Sequence, residues 1–259
     1  MIFYSGDGDL LTDLHAFQEW DAMMQDRMPQ RQVRSWCEEH FLNFQTLSDI
    51  SNTKAQYYTA LGEIGIVPPS EATSEAHGRG VGSDSPQLLR ALVAAAFTPQ
   101  IARIQYPDKK FASSMSGAVE LDPEARSIKY FNQENGRVFV HPSSTLFGSQ
   151  GFSGNAAYMA YFSLISTSKI FIRDLTPFNA YTLLLFSGPI ELDTLGRGLL
   201  VDGWLRLRGW ARIGVLLARL RGMVDELIAK KVENPELSVK DEEVITLVRK
   251  MIELDGLDA

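Results

Sequence analysis

Two stretches pair cations with aromatic rings: Arg137-Val138-Phe139-Val140-His141 and Lys169-Ile170-Phe171-Ile172-Arg173. Each alternates strictly. As β-strands they send Val138 and Val140, or Ile170 and Ile172, to one face, and a basic-aromatic-basic triplet to the other. If both strands belong to one small barrel with the branched aliphatics inside, its outer face carries Arg137, Phe139, His141, Lys169, Phe171 and Arg173. Flat rings stack on bases and cations hold phosphates, so such a face suits a single nucleic-acid strand. A second reading fits the pattern equally: Phe139 and Phe171 pack against a neighbouring helix, and the basic residues are solvated at its rim.

The elements that must position these residues follow from periodicity. The 259 residues, 45% of them apolar, suffice for one large or two small domains. Spacing predicts a helix over 9–20, with Asp9 as N-cap and Leu10, Leu14 and Phe17 on its apolar stripe. A second is expected over 31–43 around Val33, Trp36, Cys37 and Phe41. A third begins at Thr46, with Asp49 as capping-box acid. Between Pro68 and Pro86 the chain is rich in Ser, Gly, Glu and Pro, the composition of a mobile insertion. Ser85-Pro86 opens a fourth helix expected to bury Leu88, Leu89, Leu92, Val93 and Ala96 before Thr98-Pro99 stops it. The period then changes to two, which predicts strands at 101–106, 118–121, 126–131, 137–141, 158–165, 169–174, 181–186 and 199–207. Many short strands imply a small barrel or sandwich. Helical spacing returns from Ile213 to Ile228, and Ser238 with Asp241 caps a final helix carrying Val244, Leu247, Val248, Met251 and Ile252. The class is α+β.

The net charge of −7 argues against a generic nucleic-acid binder, but it is unevenly spread. Residues 1–100 are net −7 and residues 101–176 net +2, so a basic middle follows an acidic first third. No run reaches the roughly eighteen apolar residues of a membrane span, and the first residues lack the regions of a signal peptide, so an intracellular location without membrane contact is expected. A single cysteine, Cys37, excludes an internal disulfide, and four scattered histidines show no metal-ligand spacing. Cys37 reads as a buried structural thiol beside Trp36. No G-x-x-x-x-G-K-[ST] phosphate loop, G-x-S-x-G elbow or H-E-x-x-H helix occurs, so no catalytic residue is assigned.

Several motifs together resemble the C-terminal part of DEAH/RHA-type RNA helicases. Gly8-Asp9-Leu10-Leu11-Thr12-Asp13-Leu14 is similar to the family's G-D-H-L-T-x-L, with Leu10 for His. Trp36-Cys37-Glu38-Glu39-His40-Phe41-Leu42 resembles W-C-x-x-N-F-[IL], with His40 for Asn. Phe97 to Ala102 resembles Phe-Pro-Asn-Val-Ala. Most specific are His141-Pro142-Ser143-Ser144, like the family's H-P-S-S, and Thr167-Ser168-Lys169 through Arg173, like T-S-K-x-x-x-R.

The resemblance implies a helical helicase-associated, or ratchet, domain over 1–100 with a mobile insertion at 66–86. An OB-fold-like antiparallel barrel over 101–208 and a C-terminal helical extension over 209–259 would follow. It implies that His141, Ser143, Ser144, Thr167, Lys169 and Arg173 face RNA, joining Arg137, Phe139 and Phe171 from the pattern. The expected partners are single-stranded or structured RNA and the helicase ATPase lobes, with which this region helps form the RNA channel; a protein cofactor is a further candidate. ATP and Mg²⁺ are expected in those lobes, with no cofactor in this chain. The expected location is cytoplasmic, with the nucleus as the alternative. A competing reading makes the chain a protein-interaction platform that docks a helicase cofactor or ribosomal partner. Pro142-Ser143-Ser144 also fits a turn whose hydroxyls cap backbone groups.

Overall fold

The period-two stretches of the middle third close on themselves. The structure is a computed structural model that describes residues 3–67, 85–107, 110–114, 117–121, 127–192, 198–209, 211–238 and 242–254. Its first seven strands are β1 (Ile101–Gln105), β2 (Lys110–Ser114), β3 (Gly117–Leu121), β4 (Lys129–Asn132), β5 (Gly136–Val140), β6 (Tyr158–Ser166) and β7 (Ile170–Phe178). Five of them form a closed barrel in the order β1-β4-β5-β7-β6, while β2 and β3 pair as a separate hairpin. Every barrel pairing is antiparallel except β5 with β7, which run parallel.

Alternation explains why these strands curl around one core. Val138, Val140 and Ile172 are buried inside, as expected, with Ala102, Ile104, Met159 and Leu175. Ile170 is half-buried against the same cluster. In a barrel this small, side chains fill the interior, and burying one branched aliphatic contributes roughly 1.5–3 kcal/mol. Each inward residue forces its neighbours out, so the basic and aromatic positions of β5 and β7 take the outer face.

Seven helices occur among the described residues: α1 (Asp9–Gln25), α2 (Gln30–Glu39), α3 (Phe44–Glu63), α4 (Pro86–Phe97), α5 (Ala180–Phe186), α6 (Ala211–Glu233) and α7 (Glu243–Glu253). A second sheet consists of β8 (Ile190–Leu192), β9 (Leu199–Val201) and β10 (Leu205–Leu207). Residue contacts divide the chain into two units. One contains Met1–Thr12, Ser85–Val224 and Glu243–Ala259, and holds the barrel, α4, α5, α7 and the second sheet. The other contains Asp13–Asp84 and Asp225–Glu242, with a core of Phe17, Trp20, Val33, Cys37 and Leu47. Neither unit is one continuous stretch of chain. In particular, α4 packs on β6, β7, α5 and α7 within the barrel unit.

Several expectations need correction. Residues 181–186 are the helix α5, not a strand, because the Asn179 side chain accepts a hydrogen bond from Thr182 N and caps the first turn of a largely apolar run. The expected strand over 199–207 is a hairpin, since Asp202 and Gly203 both take positive φ between β9 and β10. The third helix starts at Phe44, capped by Asn43 rather than Thr46. Phe41, expected in the core, is 98% exposed on a turn at φ +58. In α4, Leu92 is exposed and Arg90 is buried in its place, held by Asp7 at 3.4 Å and by the carbonyl of Ser153 at 3.0 Å. In α7, Leu247 is 40% exposed while Val248, Met251 and Ile252 are buried. The insertion expected at 66–86 lies mostly outside the described residues, as does Asp241.

Candidate nucleic-acid interface

Because β5 and β7 are neighbours, the two alternating stretches lie side by side. Phe139 stands opposite Phe171 and Val140 opposite Ile172. The rings of Phe139 and Phe171 are 6.1 Å apart and tilted, and His141 meets Phe171 edge-on at 5.7 Å. Two cations address the same ring: the Arg137 guanidinium carbon is 5.0 Å, and Lys169 Nζ 4.6 Å, from the centroid of Phe139. Such contacts are worth roughly 0.5–1 kcal/mol at exposed sites, enough to hold both cations over the sheet while leaving them in water. Phe139 and Phe171 are half-exposed, so neither is buried under a helix as the second reading required.

Arg173 continues this face two residues beyond Phe171. It is half-buried opposite Ser163 of β6, and its Nε is buried without a hydrogen-bond partner. Thr167 sits exposed on the β6–β7 turn, its amide donating to the Lys169 carbonyl at 2.9 Å. Ser143 is exposed beside His141. Its amide donates to His141 Nδ1 at 3.1 Å, and its hydroxyl lies 2.7 Å from the same nitrogen. A neutral ring accepting at Nδ1 carries its proton on Nε2.

Ser144 departs from the expected set. It is buried, and its hydroxyl donates to both carboxylate oxygens of Asp9, at 3.0 and 2.8 Å. Asp9 Oδ1 also accepts from Thr145 N and Oγ1, both at 2.7 Å, and Oδ2 accepts from Leu175 N at 2.8 Å. Asp9 therefore does not cap α1 through its side chain as expected. It ties the 141–146 turn to β7, and Ser144 belongs to that tie rather than to the exposed face. Gly8 makes the approach feasible: a Cβ there would stand 2.6 Å from the Leu175 carbonyl, at φ +122.

The face extends further than the two stretches. On β4, Phe131 lies opposite Arg137 on one side and Arg103 of β1 on the other. The Arg103 guanidinium carbon is 5.5 Å from the Phe131 centroid. Arg103 and Phe131 were not singled out in the sequence. Their strands alternate too, with Arg103 between Ala102 and Ile104 and Phe131 after Tyr130, and only the strand order shows that they continue the row. The result is a belt of alternating cations and rings across β1, β4, β5 and β7. Among the described residues, no three His, Cys, Asp or Glu side chains come together to hold a metal ion. No helix there is long and apolar enough to cross a membrane.

A five-stranded closed barrel in the order β1-β4-β5-β7-β6, with cations and rings on its outer face, is the architecture of an OB-type fold. Residues 89–190 match the family model for the oligonucleotide/oligosaccharide-binding (OB) fold, and residues 197–254 match that for the C-terminal domain in RNA helicases. A protein of Mycosarcoma maydis named as a DEAH-box ATP-dependent helicase is 34% identical over 97% of this chain, which covers 17% of it. The Schizosaccharomyces pombe protein named as the ATP-dependent RNA helicase ucp12 is 30% identical over 97% of the chain, covering 19% of it. The ATP-dependent DNA/RNA helicase DHX36 of Homo sapiens is 28% identical over 88%, covering 21% of it. The chain carries an OB-fold domain and an RNA-helicase C-terminal domain, and DEAH-box ATP-dependent RNA helicases match it over nearly its whole length. It spans about a fifth of the length of these curated relatives.

Proposed function

We propose that this chain is an RNA-binding accessory region of an ATP-dependent RNA helicase, and that its barrel face helps line a channel for a single strand shared with the ATPase lobes. The observation that supports this most is the belt: Arg137 and Lys169 held over Phe139 beside Phe171, continued by Arg103 and Phe131. Rings accept any base and cations any phosphate, so the face suits single-stranded RNA with little sequence preference. The members of the set on this face are Arg137, Ser143, Thr167 and Lys169, which are exposed, and Phe139, His141, Phe171 and Arg173, which are half-buried. ATP and Mg²⁺ would be held by the ATPase lobes. We place the protein in the cytoplasm, with the nucleus as the alternative.

A protein-docking role is favoured by a different feature. Val215 and Leu216 on α6 are 59% and 67% exposed, an apolar surface unlike that of the belt.

The test is direct binding of labelled, unrelated RNA 12-mers over a salt series. Arg137→Ala and Lys169→Ala should each weaken every strand about equally and lower the log–log salt slope by somewhat less than one unit. Phe171→Ala should cost roughly 1–3 kcal/mol of affinity. Unchanged affinity and slope in the folded Arg137→Ala/Lys169→Ala double variant would transfer the function to the protein-docking reading.

A further inference from the structure

The barrel has a short seam. β5 and β7 share two Cα partners, Phe139↔Phe171 and Val140↔Ile172, whereas β6 and β7 are paired along nearly their whole length. On the side of Arg137 and Lys169 the two strands part, and a cleft of about 620 Å³ opens there. Its floor is barrel interior, with Tyr130, Val138 and Leu146 among its lining residues. One wall is Phe171, and the other is the 146–149 segment with Phe147, a ring that is 56% exposed. Arg137 and Lys169 both line it, and among the described residues no carboxylate does. In a chain of net charge −7, a cleft whose described lining holds two cations and no acid favours an anion.

Resting on the RNA-binding reading above, we propose that this cleft is a built site for one unstacked nucleotide of the bound strand. Its base enters between Phe147 and Phe171 over the apolar floor, and its phosphate is held by Arg137 and Lys169. The volume suits this, since small-molecule sites run from about 300 to 1,000 Å³ and a nucleotide falls in that range. The chemistry suits it too. A base offers a flat, largely apolar body and a phosphate a single anion, matching a ring-walled slot with cations at its mouth. Phe139 is not the stacking surface, because Arg137 and Lys169 already stand over its ring. Phe139 is the positioning residue that holds the two cations at the mouth, and Phe147 and Phe171 are the rings left for the base. The belt thus acts as more than a uniform stacking platform: one position along the strand is gripped by its base.

The experiment compares an intact RNA 12-mer with a ribose-phosphate 12-mer lacking all bases, by fluorescence anisotropy on the full chain across a salt series. Both carry the same phosphates, so the ratio of their affinities isolates the bases. Wild-type protein should bind the intact strand roughly five- to a hundredfold more tightly, the range of one stacked base. Phe147→Ala removes an exposed ring, and Ser149→Trp fills the cleft from its lining. Each should bring the ratio down to about that of a Phe171→Ala variant. A wild-type ratio near one with a normal salt slope would overturn the cleft and the stacking on the belt's rings, while leaving the hold of its cations on the phosphates standing. A ratio untouched by both Phe147→Ala and Ser149→Trp, each shown folded by circular dichroism, would place the base elsewhere and overturn it too. Loss of binding and slope for both strands would refute the RNA reading itself. A competing acidic peptide with a central Phe, if it displaced neither strand in wild type yet lost its own binding in Ser149→Trp, would make the occupant a protein and overturn the proposal.

Discussion

Asp9 shows how one carboxylate fixes the geometry of a distant turn. Its two oxygens gather donors from Ser144, Thr145 and Leu175, all supplied by the barrel unit. Hydrogen bonds to a charged acceptor are the stronger class, and a buried donor left unpaired costs roughly 1–3 kcal/mol. Asp9→Asn keeps the shape but turns one acceptor into an NH₂ facing donors. It should therefore destabilise the chain by about 2–6 kcal/mol, counting two donors left unpaired. A urea midpoint unchanged within error, with the same slope, would show that the turn stands without it. The variant should also loosen the His141–Ser143 pair that sits on this turn, so its RNA affinity should fall less in a His141→Ala background than in wild type. Spacing suggests Asp9 as a helix cap because a local donor is all that spacing can suggest. The real partners lie 135 to 166 residues away.

At the scale of elements, strict alternation was the most informative signal. It located β5 and the start of β7 within one residue, missing the last four residues of β7, and assigned Val138, Val140 and Ile172 to the inside. It failed at runs that are apolar on every side. Tyr181 to Phe186 reads as a buried strand, and periodicity cannot separate that from a short buried helix. The deciding residue was Asn179, whose side chain accepts from Thr182 N at 2.9 Å. Asn179→Ala should cost about 1–2 kcal/mol, and Asn179→Asp should restore most of it, since both cap. Equal losses in the two variants under urea would show that packing, not the cap, selects the helix. Likewise Asp202-Gly203 is a hairpin signal within an apolar run, and it splits 199–207 into β9 and β10. The belt was half legible. Its β5 and β7 members could be read from pattern, while Arg103 and Phe131 join only through the β1-β4-β5 order.

At the scale of the whole chain, both units place protonatable groups where ionising them would cost stability. In the barrel unit, Tyr158 is 4% exposed against Phe178, and burial pushes its hydroxyl from 10.0 up to about 12. Burial, with nearby Tyr106 adding to it, pushes Tyr130 up as well. In the other unit, burial first and then the charge of Glu38 push the Cys37 thiol above its ordinary 9.0. The native state thus binds these protons more tightly than the unfolded chain. A group whose folded value is raised contributes in full below its unfolded value, and the contribution is lost as pH rises through the folded one. Stability should accordingly hold up to about pH 9 and fall from there toward pH 12, first through the thiol and then through the phenols. For Tyr158 alone the loss is on the order of 2 kcal/mol. Urea midpoints measured from pH 8 to 11.5 should decline, and Tyr158→Phe should flatten the upper part of that decline while Cys37→Ala flattens the lower. If Tyr158→Phe left the slope above pH 10 unchanged, the phenol would have to ionise as freely in the fold as in water, which is incompatible with its burial.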